Sequence, residues 1–304
     1  MNFAPPTSAP PSDPRPHQAS LRWQSQAVLI VFVPVTAVWV ILEAGQVWYA
    51  NNDALWIGAI VAVALAALVL VTRAATPGAA LTGAIFTAAL WLQTPGVHTA
   101  LWPLLALLVL TFSATRFGRH RKEALGTAEA RRGRTASQVA ANLGVAALAG
   151  IPLSAAHVFT PVAFGGRAAM VAMLAAMAEA TADTVSSELG QVLGGTPRMI
   201  TTFRSVPAGT DGAVSLAGTL SGSLAAGVLV LVGYAALGGG LGSAGRGFSR
   251  LDAVLALAAG LFGTLIDSLL GAIPERKGWL NNDAVNALST LAAALFAAWL
   301  TRWF

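Results

Sequence analysis

The sequence predicts an all-α, polytopic integral membrane protein with about nine transmembrane helices and a cytoplasmic N-terminus. Of the 304 residues, 56% are hydrophobic and 10% are charged, whereas soluble domains carry about 25% charged residues. Several apolar stretches reach the roughly 20 residues that a helix needs to cross a bilayer. No segment shows the alternating polarity of a transmembrane β-barrel. The chain has no Cys, which excludes disulfides, thiolate metal ligands and a Cys nucleophile.

The order of the elements follows from the positions of the apolar runs. Residues 1–22 are rich in Pro and Ser and predict a disordered cytoplasmic tail, and residues 23–304 predict a single transmembrane helical domain. The third and fourth spans are short, so we expect them to be tilted or partly re-entrant. The predicted spans are Ala27–Tyr49, Ala54–Thr72, Gly78–Leu92, Thr99–Thr115, Ser137–Ala155, Gly166–Gly190, Gly212–Leu237, Leu251–Ala272 and Ala284–Trp303.

Basic residues set the predicted orientation. With nine spans and a cytoplasmic N-terminus, the 18 Lys and Arg residues divide into 14 on the cytoplasmic side and 4 on the other, as the positive-inside rule requires. Because these residues lie beside membrane segments, the pI near 10.7 does not indicate a nucleic-acid partner. The same orientation brings three polar clusters to one face: Arg116–Asn142, Thr181–Asp211 and Asp267–Asn286. We therefore predict one site at the cytoplasmic face of the cell (inner) membrane.

Three carboxylates inside or beside apolar spans are the candidate catalytic and metal-binding residues: Asp183, Glu188 and Asp267. A charge at the bilayer centre costs roughly 3 kcal/mol or more, so each needs a partner. At about 100° per residue, Glu179 and Asp183 share one face of their helix and Glu188 lies on the opposite face. Oxygen ligands favour Mg²⁺ or Ca²⁺ over zinc. The alternative is pairing with arginines or helix capping, which we favour for Glu179.

The Gly-rich loop Gly194–Gly212 is a candidate phosphate-binding segment. It contains Arg198 and Arg204, and arginine binds phosphate through two parallel hydrogen bonds. Its turn Gly209–Gly212 is expected to run directly into a helix, whose N-terminal amides attract anions. The alternative is a flexible turn with Asp211 as the helix N-cap. The full set of candidate substrate- and phosphate-binding residues is Arg134, Asn142, Arg198, Thr201, Thr202, Arg204, Gly209, Thr210, Gly212, Ser215, Ser268, Asn282 and Asn286.

Five strings carry a family resemblance: RTASQVAAN (134–142), ADTVSSELG (182–190), PRMITTFRSVPAGTDGAVS (197–215), DSLLGA (267–272) and NNDAVN (281–286). By these strings the chain resembles the integral membrane family called domain of unknown function 92. That family includes transmembrane protein 19 and the plant phytyl-phosphate kinase of vitamin E synthesis. The resemblance covers about Thr76 to the C-terminus. Two features depart from it: Ala217, where some relatives carry a carboxylate, and the Pro-rich tail.

The resemblance implies a Mg²⁺-dependent isoprenyl-phosphate kinase in the bilayer. A phytyl, geranylgeranyl or farnesyl monophosphate would receive a phosphoryl group from a nucleoside triphosphate, with CTP as the expected donor. Such a transfer needs positioning and charge neutralisation more than covalent chemistry. Two alternatives remain open: a nucleotidyltransferase that forms a CDP-lipid, and a non-enzymatic polyprenyl-phosphate carrier or flippase. A carrier should have a polar path in both leaflets, and the predicted extracytoplasmic half has few polar residues, which favours an enzyme.

Overall fold

The computed structural model describes residues 21–50, 52–128, 133–158, 166–238 and 247–304. The predicted tail, apart from its last two residues, therefore lies outside the described residues. The described chain is almost entirely helical. Its helices are α1 (Arg22–Ala50), α2 (Asn52–Val71), α3 (Pro77–Gln93), α4 (Leu101–Arg116), α5 (Arg119–Leu125), α6 (Ala136–Ala149), α7 (Ile151–Val158), α8 (Gly166–Leu193), α9 (Leu216–Gly238), α10 (Arg250–Leu270), a π-helical turn (Gly271–Glu275) and α11 (Asn282–Leu300). Strands β1 (Arg198–Met199) and β2 (Ala213–Val214) pair antiparallel between α8 and α9.

The described chain has fewer membrane-spanning helices than the nine predicted, when its helices are counted by their length and composition. Within the described residues, 7 helices are long and apolar enough to cross a membrane, or up to 8 if the bent pair α4 and α5 is one span. The difference lies in the third and fourth predicted spans. Helix α3 has 17 residues and α4 has 16, and a bend of 60° separates α4 from α5. The expected count of nine is therefore not reached on these criteria.

Helix α8 is the central helix of the bundle. It packs against α4, α6, α9, α10 and α11, and every residue of the segment 169–182 is buried. A helix that is apolar on all sides is typical of such a position. Glycine brings its neighbours close: a Cβ added to Gly222 of α9 would lie 2.6 Å from the Ala182 carbonyl oxygen, and one added to Gly263 of α10 would lie 2.6 Å from Glu179 Cγ. Three backbones therefore converge around Glu179 and Asp183.

Helix ends from distant parts of the chain meet at one end of the bundle, which we call the polar end. There, Arg116 Nη2 donates to the Thr72 carbonyl at 3.4 Å, and Gln24 Nε2 donates to the Trp279 carbonyl at 2.8 Å. The Arg134 amide donates to the Ala74 carbonyl at 2.9 Å. Lys122 of the first polar cluster contacts Glu188 of the second, and Arg276 of the third contacts Met199 of the second. The three polar clusters of the sequence therefore share this end.

At the other end of the bundle, an ion pair joins two helices. Arg167 Nε of α8 lies 2.6 Å from Asp252 Oδ1 of α10, and Arg167 Nη1 donates to the Thr301 carbonyl at 3.4 Å. Asp252 is also the third residue of a capping box with Ser249 at the start of α10. These contacts account for both charges, so the pair joins helices at this end.

Candidate functional site

A cavity of about 650 Å³ opens among α8, α9, α10 and the β1–β2 loop at the polar end. Half of the predicted site residues line it. They are Asp183, Gly209, Thr210, Gly212, Ser215, Asp267, Ser268 and Asn282. The others lie outside the lining: Arg134, Asn142, Glu188, Arg198, Thr201, Thr202, Arg204 and Asn286. Residues from the loop and from three helices thus form one chamber, which we call the acidic cavity.

Two carboxylates lie close together in the inner wall of this cavity. Asp183 of α8 and Asp267 of α10 lie within hydrogen-bonding reach of one another. Among the described residues, the buried Asp267 Oδ1 atom has no hydrogen-bond partner, and neither has the buried Gln191 Oε1 atom of the same lining. Two adjacent carboxylates repel unless a proton or a cation lies between them. The pair therefore needs either a shared proton or a cation between its oxygen atoms.

Sequence reasoning missed two further carboxylates of the acidic cavity. Asp211 reaches it from the loop and Glu275 from the π-helical turn. Glu275 lies close enough to Asp211 and Asp183 to interact with them electrostatically. Asp211 stands in the GTDG turn, where the sequence also allows it to be a helix N-cap. Glu275 follows Pro274 in a segment that predicts a loop, and only the π-helical turn directs it inward.

The charge of the lining is therefore one-sided. The described residues that form it include four carboxylates and no Lys or Arg. When its carboxylates are ionised, a cavity wall of this composition repels anions unless cations accompany them. This is the main electrostatic property of the chamber.

Glu188 does not join the other carboxylates, which corrects the predicted three-carboxylate metal site. Its Oε2 atom lies 2.5 Å from Lys122 Nζ of α5. Lys122 is buried and also donates to the carbonyls of Ala114 and Thr115, at 2.8 and 3.1 Å. In the described part of the chain, no group of three or more His, Cys, Asp or Glu is arranged to hold a metal ion. Glu188 lies on the opposite face of α8 from Asp183, as the helical spacing requires.

The Gly209–Gly212 turn is positioned by backbone contacts, and it does not lead directly into a helix. Both glycines have positive φ, +81° and +72°. A Cβ added to Gly271 would lie 2.8 Å from the Gly212 nitrogen, so the GTDG and DSLLGA strings touch through their backbones. The predicted helix start is wrong, because β2 intervenes and α9 begins at Leu216.

The residue that caps α9 is Ser215. Its Oγ accepts a hydrogen bond from the Gly218 amide at 3.1 Å, which is the usual geometry of a helix N-cap. Asp211 is therefore not the cap. The helix N-terminus that faces the acidic cavity belongs to Ser215 and the residues after it, and its free amides attract anions there.

The loop arginines lie on the outside of a hairpin. Arg198 Nη1 donates to the Phe203 carbonyl at 3.0 Å, which closes the turn at the hairpin tip. Thr201, Thr202 and Arg204 are exposed on the same tip. In this structure they lie outside the cavity lining.

A second cluster of polar side chains lies between α6 and α11. Asn286 Nδ2 donates to Asn142 Oδ1 at 3.5 Å, and Asn142 Nδ2 donates to the Gln138 carbonyl at 2.8 Å. Arg134 begins this segment, and its charge acts on Asp183. Of the predicted arginines, Arg134 therefore has the electrostatic link to the carboxylate pair.

The family described as "Integral membrane protein DUF92" matches residues 60–294. This chain belongs to that family. The predicted fold class is therefore confirmed as a multi-pass helical integral membrane protein. The DUF92 match begins within α2 and ends within α11, so it contains every residue that lines the acidic cavity. Helix α1 precedes the match.

Curated relatives come from archaea, cyanobacteria and plants. An uncharacterized membrane protein of Methanocaldococcus jannaschii is 42% identical over 133 residues, which is 43% of this chain and 51% of that protein. One from Synechocystis is 34% identical over 199 residues, covering 64% and 70%. Protein VTE6, chloroplastic, of Arabidopsis thaliana is 33% identical over 199 residues, covering 63% and 55%. The chain thus spans about half of the archaeal and plant proteins. No solved structure matches.

Proposed function

We propose that this DUF92 protein is a Mg²⁺-dependent isoprenyl-phosphate kinase. It would transfer a phosphoryl group from a nucleoside triphosphate, with CTP as the expected donor, to an isoprenyl monophosphate in the bilayer. The observation that carries the proposal is the acidic cavity, in which four carboxylates meet a Gly-rich loop and the N-terminus of α9. Family resemblance to the plant phytyl-phosphate kinase supplies the substrate class, and 33% identity to the chloroplast protein VTE6 is compatible with it.

The charges of the acidic cavity explain why a metal belongs to the proposal. Two phosphorylated substrates cannot meet against a wall of carboxylates without cations between them. Mg²⁺ is usually held by one or two carboxylates together with substrate phosphates, so Asp183 and Asp267 are sufficient protein ligands. The unpartnered Asp267 Oδ1 atom fits this role. When bound, Mg²⁺ would neutralise phosphate charge during transfer.

The residues of the chain would act by positioning. Free amides at the start of α9, next to Ser215, would hold phosphate oxygens, and the Gly209–Gly212 backbone would close over them. Arg134 would orient Asp183 through its charge. An oxygen of the acceptor phosphate forms the new bond to the γ-phosphorus while the γ-phosphorus–oxygen bond to the donor breaks and the nucleoside diphosphate leaves. Because the acceptor is already an anion, the step needs no strong general base.

The polar end would face the cytoplasm of the cell membrane. Arg116, Lys122 and Arg134 lie at this end, and cytoplasmic segments carry an excess of Lys and Arg. A nucleotide would then reach the cavity from the cytosol, while the lipid stays in the membrane.

A carrier function is less compatible with the distribution of polar groups. Another cavity among the described residues, of about 420 Å³, is lined by apolar residues that include Phe32, Leu148 and Leu295. It offers no polar path toward the other end. A nucleotidyltransferase would use the same acidic cavity, so only its products distinguish it from a kinase.

The deciding experiment is product identification with purified protein in nanodiscs. Farnesyl, geranylgeranyl and phytyl phosphates are each incubated with CTP, ATP, GTP or UTP and Mg²⁺, and products are identified by mass spectrometry. An isoprenyl diphosphate with a nucleoside diphosphate supports the kinase. A CDP-lipid with pyrophosphate replaces it with the nucleotidyltransferase, and the absence of any product with all donors overturns both. Asp183→Asn serves as the inactive control, and Glu123→Gln, on the exposed surface of α5, as the matched active control.

A further inference from the structure

The acidic cavity continues from the polar end into the membrane-spanning part of the bundle. Its inner wall includes Leu261 and Leu265 of α10 and Gly222 and Ser223 of α9. At about 1.5 Å per residue, Leu261 lies about 9 Å deeper along α10 than Asp267. Ser223 lies about 12 Å deeper along α9 than the capping residue of that helix by the same rise. The chamber therefore has a polar mouth and a deeper, less polar part.

The deeper part is open sideways between α9 and α10. Leu265 lines the cavity, and 48% of it is exposed although it lies within a membrane-spanning helix. Thr219, opposite on α9, also lines the cavity and is exposed. Exposed side chains beside the cavity, at this level of two spanning helices, indicate an opening of the cavity toward lipid. The interior therefore communicates with the lipid-facing surface along this cleft.

Both helices are fixed in position by their packing on α8. Gly222 fits α9 against the Ala182 carbonyl, and a Cβ added to Gly260 of α10 would lie 2.8 Å from Ala178 Cβ. Each helix is thus fixed to α8 at the back of the cleft. At the front, Leu220 and Leu224 of α9 are 55% and 71% exposed, so they face lipid instead of α10.

Two hydroxyl groups that line the cleft form hydrogen bonds to their own helix instead of pointing into the space. Thr264 Oγ1 donates to the Gly260 carbonyl at 3.1 Å, and Ser268 Oγ donates to the Thr264 carbonyl at 3.2 Å. Hydroxyls that bond to their own helix leave mainly carbon atoms facing the space. The volume of about 650 Å³ is within the range of roughly 300–1,000 Å³ that holds small ligands.

We propose that the cleft between α9 and α10 is a lateral portal that holds the hydrocarbon chain of a single-chain anionic lipid. The chain extends from the bilayer past Leu265 to Leu261, while the anionic head lies with cations among the carboxylates at the polar mouth. The identification of this lipid as an isoprenyl phosphate rests on the proposed function. The portal itself is inferred because the carboxylates at the polar mouth and the deeper leucines between α9 and α10 line the same cavity.

Leu261 sets how deeply the chain is inserted, since it is the innermost residue of α10 in the lining. Leu261→Trp should therefore shorten the channel. The measurement compares kcat/KM for geranylgeranyl phosphate and dimethylallyl phosphate in nanodiscs. The expected result is a fall of about tenfold in the preference for the long acceptor over the short one, as when a few methylene contacts are lost.

A matched control lies on the neighbouring helix. Leu224→Trp changes a lipid-facing residue that does not line the cavity, and the chain-length preference should stay within about twofold of wild type. An unchanged preference in Leu261→Trp would overturn the portal. An equal loss in both leucine variants would also overturn it, because general disturbance of the bundle would then be the cause.

A second measurement separates the portal from the kinase proposal. Geranylgeranyl phosphate carrying a diazirine at the far end of its chain is illuminated with the protein in nanodiscs, and the modified peptides are mapped by mass spectrometry. Adducts in 216–238 and 250–270 that unlabelled geranylgeranyl phosphate displaces support the portal, even if no diphosphate is ever formed. Displaceable adducts confined to other helices reject the portal, even if the protein proves to be a kinase. Adducts that unlabelled lipid does not displace also reject it.

Discussion

Two carboxylates five residues apart on α8 have different surroundings. Asp183 faces the acidic cavity and approaches a second carboxylate, Asp267. Glu188 lies against the buried Lys122, which also satisfies two carbonyl oxygens at the end of α4. The first environment concentrates like charge, whereas the second neutralises it. Of these two carboxylates, Asp183 is therefore the candidate for a functional site, because its nearest partner carries the same charge.

Glu179 is an intermediate case on the same helix. It is buried one turn deeper than Asp183, and its Oε1 atom has no hydrogen-bond partner among the described residues. Its side chain is enclosed by Gly263 of α10 and Ser289 of α11. It does not line the acidic cavity. We therefore treat it as a support of the Asp183 region rather than as a metal ligand.

The largest expected effect comes from breaking the carboxylate pair. Asp183→Asn or Asp267→Asn should lower kcat/KM by roughly a hundredfold or more, because the metal's charge stabilisation is worth several kcal/mol. The check is turnover across a Mg²⁺ titration, with thermal unfolding in detergent to confirm that the variants remain folded. Near-normal activity at ordinary Mg²⁺ concentrations in both variants would remove the pair from the mechanism.

The next effect concerns the two carboxylates that sequence reasoning missed. Glu275→Gln and Asp211→Asn should each lower kcat/KM by about tenfold, mainly through weaker binding of the Mg²⁺–nucleotide complex, since each removes from the cavity wall one carboxylate that bound cations would keep ionised. The measurement is KM for the nucleotide at several Mg²⁺ concentrations. Asp53→Asn, at the start of α2, is the matched control and should leave KM unchanged. A change in kcat with constant KM would assign these residues a different role.

The sequence predicted the components of the site better than their arrangement. Helical spacing separated Asp183 from Glu188 correctly, and the orientation argument brought distant clusters to one end. The sequence alone could not identify Lys122 as the partner of Glu188, because that contact joins residues 66 positions apart. Nor could it show that β2 delays the start of α9, or that a π-helical turn directs Glu275 inward. Both depend on backbone contacts between distant segments, such as that between Gly212 and Gly271.

A smaller effect should distinguish the arginines. Arg134 acts electrostatically on Asp183, while Arg204 is exposed at the hairpin tip. Lysine keeps the charge but not the planar, two-pronged guanidinium. Because Arg134 acts on Asp183 through its charge, Arg134→Lys should lower kcat/KM only about twofold, whereas Arg134→Gln should lower it by roughly tenfold. Arg204→Gln should lower it by less. The opposite order would mean that the hairpin folds over the cavity when substrates bind.

The smallest effect on catalysis should come from Glu188, although its effect on stability is large. Glu188→Gln leaves the buried Lys122 ammonium without its counter-charge. Breaking a buried pair costs about 3–5 kcal/mol, and we expect roughly 2–3 kcal/mol here because 16% of the Glu188 side chain is exposed. Thermal unfolding should therefore occur at a lower temperature, while kcat/KM per folded molecule stays within about twofold of wild type.

The comparison that completes this test uses an exposed ion pair on the same short helix. Glu123→Gln removes the partner of Arg119, whose side chain is 45% exposed, and surface pairs contribute about 0–1 kcal/mol. Its unfolding temperature should change little. If Glu188→Gln instead lost turnover as completely as Asp183→Asn while remaining folded, both faces of α8 would belong to the catalytic site. The distinction between a neutralised and an unneutralised carboxylate would then fail for this protein.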